Sequence, residues 1–448
     1  MDFIDLFAGL GGFHYAAESL GHRCVFACEK DKALRELYSI NHSVSPTIVY
    51  GDIKESKSKV PPHDLLLAGF PCQSFSKSGK QLGFRDEGRG DLLFDVLDIL
   101  ADNRPDYFLF ENVGNFPRHN GGRTWNIILH ELIGLGYSVR YTRPSKTNGS
   151  GLLSPHKFGF PQSRDRFFAI GSLNGLPREH ESFPIPNHKL PNLHDYINLN
   201  PDAIEDAAKL SDSENSCIED WNKLIASLPN KHFDLSGGFP LWIDEYQQQY
   251  PFLTETPYSQ MKRMGLSDDL IEIKMKDLPP YAREKVFYFP KWKTKFILQN
   301  REWIETYSNH IPQCVLQSIL ARPHSHRKLE WNFKHSKSHS IWDCVFQFRP
   351  SGIRVSNPSY IPSVVALCNT QTPIYGPARR RLLQSEIKQI FGFPDNMQLP
   401  NTDTVASRAL GNAVHVNLAQ MIIEKLTARS PLMKIQPDYF EFLLPLAI

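Results

Sequence analysis

The stretch DFIDLFAGLGGFHYAAESLGHRCVFACE, residues 2–29, holds the fold in miniature. DFIDLF is an apolar run of strand length, FHYAAESLG has helical spacing and ends at Gly21, and RCVFACE is a second strand. Between the first strand and the helix, DLFAGLGGF (5–13) holds Gly9, Gly11 and Gly12. Glycine there permits a tight turn and lets a ligand approach the backbone near a helix N-terminus. Taken alone, such a turn fits an empty βα connection equally well.

The same alternation runs outward. KALRELYSINH reads as a helix, a short third strand ends at YGDI, and HDLLLAGF, DLLFDVLDILADN, DYFLFENV, TWNIILHELIGLG and RFFAIG follow. A βαβα succession predicts an α/β fold with a doubly wound, mostly parallel sheet over residues 1–171. After Gly171 the rhythm stops at the proline-punctuated LPREHESFPIPNHKLPNLHDY. Residues 171–280 hold 9 Lys and Arg against 18 Asp and Glu, whereas 281–360 hold 13 against 5. The overall balance of 50 against 48, a net charge of +2, therefore hides an acidic block followed by a basic one. Helical texture returns in RRRLLQSEIKQIFGFP and ASRALGNAVHVNLAQMIIEKL. This divides the chain into 1–171, 172–375 and 376–448, the middle part irregular.

Several classes are excluded. The seven cysteines are scattered, odd in number and without a C-x-x-C pair, which argues against a disulfide framework and against a zinc site. MDFIDLFAGLGG has an acid where a signal peptide needs a basic region, and no apolar run reaches the ~18 residues of a membrane helix. A soluble, cytoplasmic protein is expected.

The strand tips carry the chemistry. Glu29 ends the second strand, where an acid suits ribose hydroxyls, and Asp52 reaches the same carboxyl edge after the third. Either is equally at home as a solvated strand end or a helix cap. The fourth strand runs out at Pro71–Cys72 and the fifth delivers Glu111 beside it. A thiolate is a soft nucleophile, and a neighbouring acid can protonate what it attacks. A buried inert thiol and a salt-bridged glutamate are the bland alternatives.

DLFAGLGGF, GDI, GFPCQSFSKSGKQLGF, RGDLLFD, FENV, FGFPQSRDRFFAIG, RRLLQSEIKQIFGFP and GNAV stand in one collinear series. With them the chain resembles the DNA (cytosine-5)-methyltransferases of bacterial restriction–modification systems, outside residues 172–360. The resemblance implies a Rossmann-like, class I S-adenosylmethionine methyltransferase fold, with a target-recognition domain inserted at 172–375 and a return segment, 376–448, completing the catalytic domain. It also implies that Cys72 adds to carbon 6 of a flipped cytosine. Glu111 then hydrogen-bonds the ring and Arg164 contacts the base. For the cofactor, S-adenosyl-L-methionine (product S-adenosyl-L-homocysteine), it implies contacts from Phe7, Ala8, Gly9, Leu10, Gly12, Glu29, Asp52, Ile53, Leu92, Asn412 and Val414. Loop 73–89 matches a catalytic loop that closes over double-stranded DNA. Gln73, Ser76, Ser78, Lys80 and Arg89, with Gln162 and Arg166, are the expected DNA contacts. No metal is implied.

Two departures stand out: Lys30 where the family often has an aromatic residue against adenine, and Asp91 where a Thr is common. In the insert, YAREKVFYFPKWKTKFILQNREW and ARPHSHRKLEWNFKHSKSHS interleave cations with aromatics, as phosphate contact and groove reading require, although a basic surface over an aromatic core would look the same. The acidic DAIEDAAKLSDSENSCIED is expected to face away from DNA or form a helical excursion. A monomer is expected, with a restriction endonuclease acting separately on the same site. The tRNA-methylating branch of the family is the enzymatic alternative, but its PPCQPF core differs from FPCQSF here. A catalytically silent DNA-binding homologue is the other; such proteins usually lose the thiol or the glutamate, and both are present.

Overall fold

The computed structural model describes residues 1–71, 91–143, 151–177, 182–187, 189–199, 206–229, 239–248, 252–331, 333, 340–364 and 371–428. Eight strands lie in the first part: β1 (Asp2–Leu6), β2 (Arg23–Cys28), β3 (Val49–Tyr50), β4 (Leu65–Ala68), β5 (Tyr107–Val113), β6 (Ser138–Tyr141), β7 (Gln162–Ser163) and β8 (Arg166–Ser172). Between them run α1 (Gly12–Glu18), α2 (Lys32–Asn41), α3 (Ile53–Ser56), α4 (Asp91–Asn103) and α5 (Arg123–Gly134).

Seven strands form one sheet in the order β3-β2-β1-β4-β5-β8-β6. The run from β3 to β5 is parallel; β8 pairs antiparallel with β5, and β6 antiparallel with β8. The parallel strands are continuous apolar runs because helices cover both faces: all four residues of β4, LLLA, are fully buried. The order reverses between β1 and β4, so their carboxyl ends open a crevice. The glycine turn leaves β1 on one side of it, and Gly69–Phe70–Pro71 leaves β4 on the other.

Residues 172–375 read as irregular, yet they build regular structure in short pieces. The strands β9 (Leu241–Trp242), β10 (Lys328–Trp331), β11 (Val345–Arg349), β12 (Gly352–Ser356), β14 (Ile374–Tyr375) and β15 (Arg380–Arg381) form a six-stranded sheet, while β13 (Ile361–Pro362) pairs with β7. This sheet runs past residue 375 into β15. Helices α6 (Asp212–Ser227) and α10 (Gln313–Leu320) pack over it around Trp221, Leu224, Leu316 and Phe346. Helices α7 (Pro257–Arg263), α8 (Asp268–Lys276) and α9 (Lys291–Tyr307) enclose a smaller core of Ile271, Met275, Tyr281 and Ile297. The acidic block is partly helical, but it is no separate excursion: α6 opens with a capping box between Ser211 and Glu214 and packs into the core around Trp221 and Phe346.

The chain then returns through α11 (Gln384–Ile390), α12 (Asp403–Asn412) and α13 (Val416–Thr427). Ala419, Ile422 and Leu426 of α13 join Phe13, Ala16 and Ala17 of α1 in the core beside the first sheet. The last described helix thus packs against the helix that follows the glycine turn.

Candidate active site

The glycine turn is held open from below. Phe7 takes a positive φ of 58°, a conformation few side chains tolerate, and Gly9 and Gly11 follow at 53° and 77°. Gly12 admits no side chain, since a Cβ there would lie 2.5 Å from the Val414 carbonyl oxygen. At Gly9 the nearest atom to such a Cβ is 4.0 Å away, so the backbone is bare on that side. The Glu29 carboxylate accepts from the Gly9 N–H at 2.9 Å and the Asp31 N–H at 2.8 Å. It therefore fixes the turn after β1 against the start of α2 and keeps lone pairs to spare for a ligand.

Asp52 caps α3 through the Lys54 N–H and pairs with the Lys30 ammonium at 2.9 Å. The hydrogen bond from Lys30 is the largest influence holding the Asp52 carboxyl below its ordinary value. The unusual lysine is thus engaged with the acid expected at the adenine edge. Ile53 is buried behind it, and Ala8 and Leu10 are also buried. Leu92 packs on the core under β4, Asn412 is exposed at the end of α12, and Val414 is buried between the turn and β4.

Beneath the turn lies a polar cluster that sequence inspection missed. Tyr38 donates to Asp5 at 3.2 Å and shares a 2.7 Å hydrogen bond with His14 Nδ1. Burial pushes the Asp5 carboxyl well above its ordinary value and lowers His14 to about 4. His14, Glu18 and His42 bring ligand atoms within 4.8 Å of one another, but the two imidazoles stack face to face at 3.8 Å, so their lone pairs do not converge on one ion.

Across the crevice, Glu111 is buried near the end of β5, and its Oε1 receives the Arg166 Nε–H at 2.9 Å. Burial raises the Glu111 carboxyl above its ordinary value, against the pull of Arg166 and then Arg164. A Cβ at Gly69 would be 3.8 Å from Glu111 Oε2, so the chain leaving β4 passes directly by this carboxylate. Asn112 is 1% exposed, and its amide donates to the Phe70 carbonyl at 3.4 Å, tying β5 to the residue before Pro71. Cys72 and the loop contacts Gln73, Ser76, Ser78, Lys80 and Arg89 fall outside the described residues.

The two arginines of QSRDR have surroundings that differ from those expected of them. Arg164, expected at the base, is 3% exposed and turned inward, its Nη2 donating to the carbonyls of Gly411 and Ala413 at 2.9 and 3.0 Å. Arg166, expected on DNA, reaches Glu111 instead. The reason is register: β8 runs antiparallel to β5 with Arg166 opposite Val113, so the start of β8 meets the end of β5. Gln162, also expected on DNA, is fully buried where β7 pairs with β13, opposite Ile361. Only the sheet topology could have sorted these three; the local pattern is mute.

A glycine turn and an acid at the switch point of a doubly wound sheet, with a buried carboxyl–guanidinium pair on the adjoining strands, define a nucleoside-binding α/β fold with a polar pocket beside it. The chain belongs to the C-5 cytosine-specific DNA methylase family, which its sequence matches over residues 1–428. It is 31% identical over 441 residues to the type II methyltransferase M.BanI of Aneurinibacillus aneurinilyticus, covering 95% of both chains. It is 28% identical to M.AluI of Cellulosimicrobium cellulans, across 97% of this chain and 94% of that one. With M.HhaI of Haemophilus parahaemolyticus the identity rises to 42%, over 41% of this chain and 53% of the relative. The protein is a DNA cytosine-5 methyltransferase, and the DNA reading stands over the tRNA alternative. The family in general uses S-adenosylmethionine.

Proposed function

We propose that the protein methylates a flipped cytosine within a defined duplex sequence, through a transient bond between Cys72 and carbon 6 of the base. The observation that carries this reading is Glu111, buried with a raised carboxyl pKa beside Arg166, where the chain leaves β4 toward Cys72. Carbon 5 of cytosine is a weak nucleophile. Addition of the Cys72 thiolate to carbon 6 moves ring electrons toward carbon 5 and ring nitrogen 3, and burial, which raises the Glu111 carboxyl, favours the protonated form that can supply a hydrogen bond or proton to that nitrogen. Arg166 holds the Glu111 carboxyl in place and offers its remaining N–H groups to the base, the part first expected of Arg164. After transfer, the carbon 5 proton leaves to water or hydroxide, the carbon 6–sulfur bond breaks and Cys72 departs as thiolate. A base stacked in a duplex is beyond reach of these groups, so it is turned out of the helix at a cost of a few kcal/mol.

The residues present fit the cofactor. Bare backbone at Gly9 and the acids Glu29 and Asp52 suit a nucleoside bearing hydroxyls and an amine, with Phe7, Ile53, Leu92, Asn412 and Val414 around them. Gly12 serves by letting Val414 approach. When bound, the cofactor supplies an electrophilic methyl group. The type II names of the relatives fit a protective role in restriction–modification, and in this reading the methyltransferase acts as a monomer in the bacterial cytoplasm beside a separate endonuclease that cuts the same site. No helix among the described residues is long and apolar enough to cross a membrane.

Cys72→Ser is the direct test. Transfer of labelled methyl groups to DNA is expected to fall to background while DNA affinity stays within a few-fold of wild type. Turnover at the native rate would remove Cys72 from the reaction.

A further inference from the structure

Arg164 is a buried cation whose surroundings join three parts of the chain. Its main-chain N–H donates to Ser154 Oγ at 2.8 Å, which anchors it to the base-side strands. Its Nη2 caps the last turn of α12 through the Gly411 and Ala413 carbonyls. These oxygens have no partner within a helix that ends at Asn412, and they carry the negative end of its dipole. Nη1 lies 3.4 Å from both Ser363 Oγ and the Val364 carbonyl, just after β13, and the guanidinium sits 5.5 Å from the centre of the Phe391 ring.

The residue after Ala413 is Val414. Its carbonyl occupies the space a side chain at Gly12 would need, and its Cγ2 is 3.7 Å from the Cβ position of Gly69, itself 3.8 Å from Glu111 Oε2. One side chain therefore forms the wall shared by the glycine turn and the Glu111 pocket. The main chain leading into that wall is fixed by Arg164.

We propose that Arg164 is a positioning residue that sets the distance between the cofactor pocket and the target base by clasping the 411–413 carbonyls. The inference rests on the cofactor site proposed above. Arg164 touches neither reacting partner; its loss acts through Val414. Nη2 alone reaches both carbonyls while Nη1 lies by Ser363 and Val364, and a lysine ammonium, one compact charge without this second nitrogen, cannot hold both segments at once. A misplacement of about 1 Å between reacting groups can cost roughly 100-fold in rate.

The test measures binding of S-adenosylhomocysteine to the DNA-free protein by calorimetry, alongside thermal unfolding without ligand and steady-state kinetics. Arg164→Lys is expected to weaken this binding about tenfold, lower kcat at least tenfold at saturating cofactor and DNA, and leave the ligand-free Tm within a few degrees of wild type. Ser154→Ala, which loosens the anchor and spares the guanidinium, is expected to move the cofactor Kd in the same direction by a few-fold. A lowered Tm with native Kd and kcat in Arg164→Lys would reduce the residue to a structural role and overturn the proposal. If Arg164→Lys does not fold, a native Kd and kcat in Ser154→Ala overturn it alone. Wild-type protein that binds no S-adenosylhomocysteine would instead overturn the cofactor site, and the positioning role with it.

Discussion

The half built on the first sheet and the half built on the second bury polar groups with different emphasis. Around the first sheet burial pushes several titratable groups toward their neutral form: Asp5 is raised well above its ordinary value, while His14, His42 and His415 are lowered to about 4, 2 and 3, burial being the leading cause in each. In the second half the buried groups are ion pairs: Asp220 with Arg322, Asp244 with Arg327 at 3.0 Å, and Glu245 with Arg301 at 2.7 Å. Arg381 reaches back to Glu214 as well. The acidic and basic blocks of the sequence thus meet each other inside the domain, which leaves fewer cations free for phosphate than the raw count suggests. Beside the crevice of the first half the buried pair is Glu111 with Arg166, at 2.9 Å.

The largest expected effect that would break this contrast lies in the half built on the second sheet. Glu245 has a fully buried side chain and accepts from Tyr281 as well as Arg301. Glu245→Ala strands both donors, and removal of one partner of a buried pair costs about 3–5 kcal/mol. Six of the seven tryptophans lie between Trp221 and Trp342. Denaturant unfolding followed by fluorescence therefore reports on this half and should shift strongly, while S-adenosylhomocysteine affinity holds. Equal losses in both would mean that the halves are not energetically distinct.

A smaller effect sharpens the other side. For a histidine whose folded pKa is depressed, the unfolded chain binds more protons between that value and about 6.5. Stability is full above about 6.5 and is lost as pH falls toward the folded value. Between pH 7 and 5 each such histidine contributes at most about 2 kcal/mol of loss. His415, whose Nδ1 accepts from the Leu418 N–H to cap α13, is the cleanest case. The Tm of His415→Asn should fall less steeply than wild type over that range. Parallel slopes would show that His415 is not held neutral.

Much of the catalytic half was legible because its parallel strands are unbroken apolar runs and its turn needs glycine. β6 escaped notice because all four residues of SVRY are only partly buried, leaving no alternation to read. The roles of Arg164 and Arg166 were hidden for a different reason: they depend on β8 running antiparallel to β5, a tertiary fact. In the insert the strands are two to five residues long, too short for a period to emerge. Its charge blocks were visible, but nothing local said that Glu214 would find Arg381 across the intervening chain.

The central claim is that Cys72 bonds to carbon 6 of the target base beside Glu111. Duplex DNA with 5-fluorocytosine at the methylated position tests it most directly, since fluorine at carbon 5 cannot leave as a proton and elimination stalls. In the presence of S-adenosylmethionine, mass spectrometry of the digested complex should find a stable protein–DNA adduct on the peptide containing Cys72. An active preparation that forms no adduct, or forms one on another residue, would contradict the account.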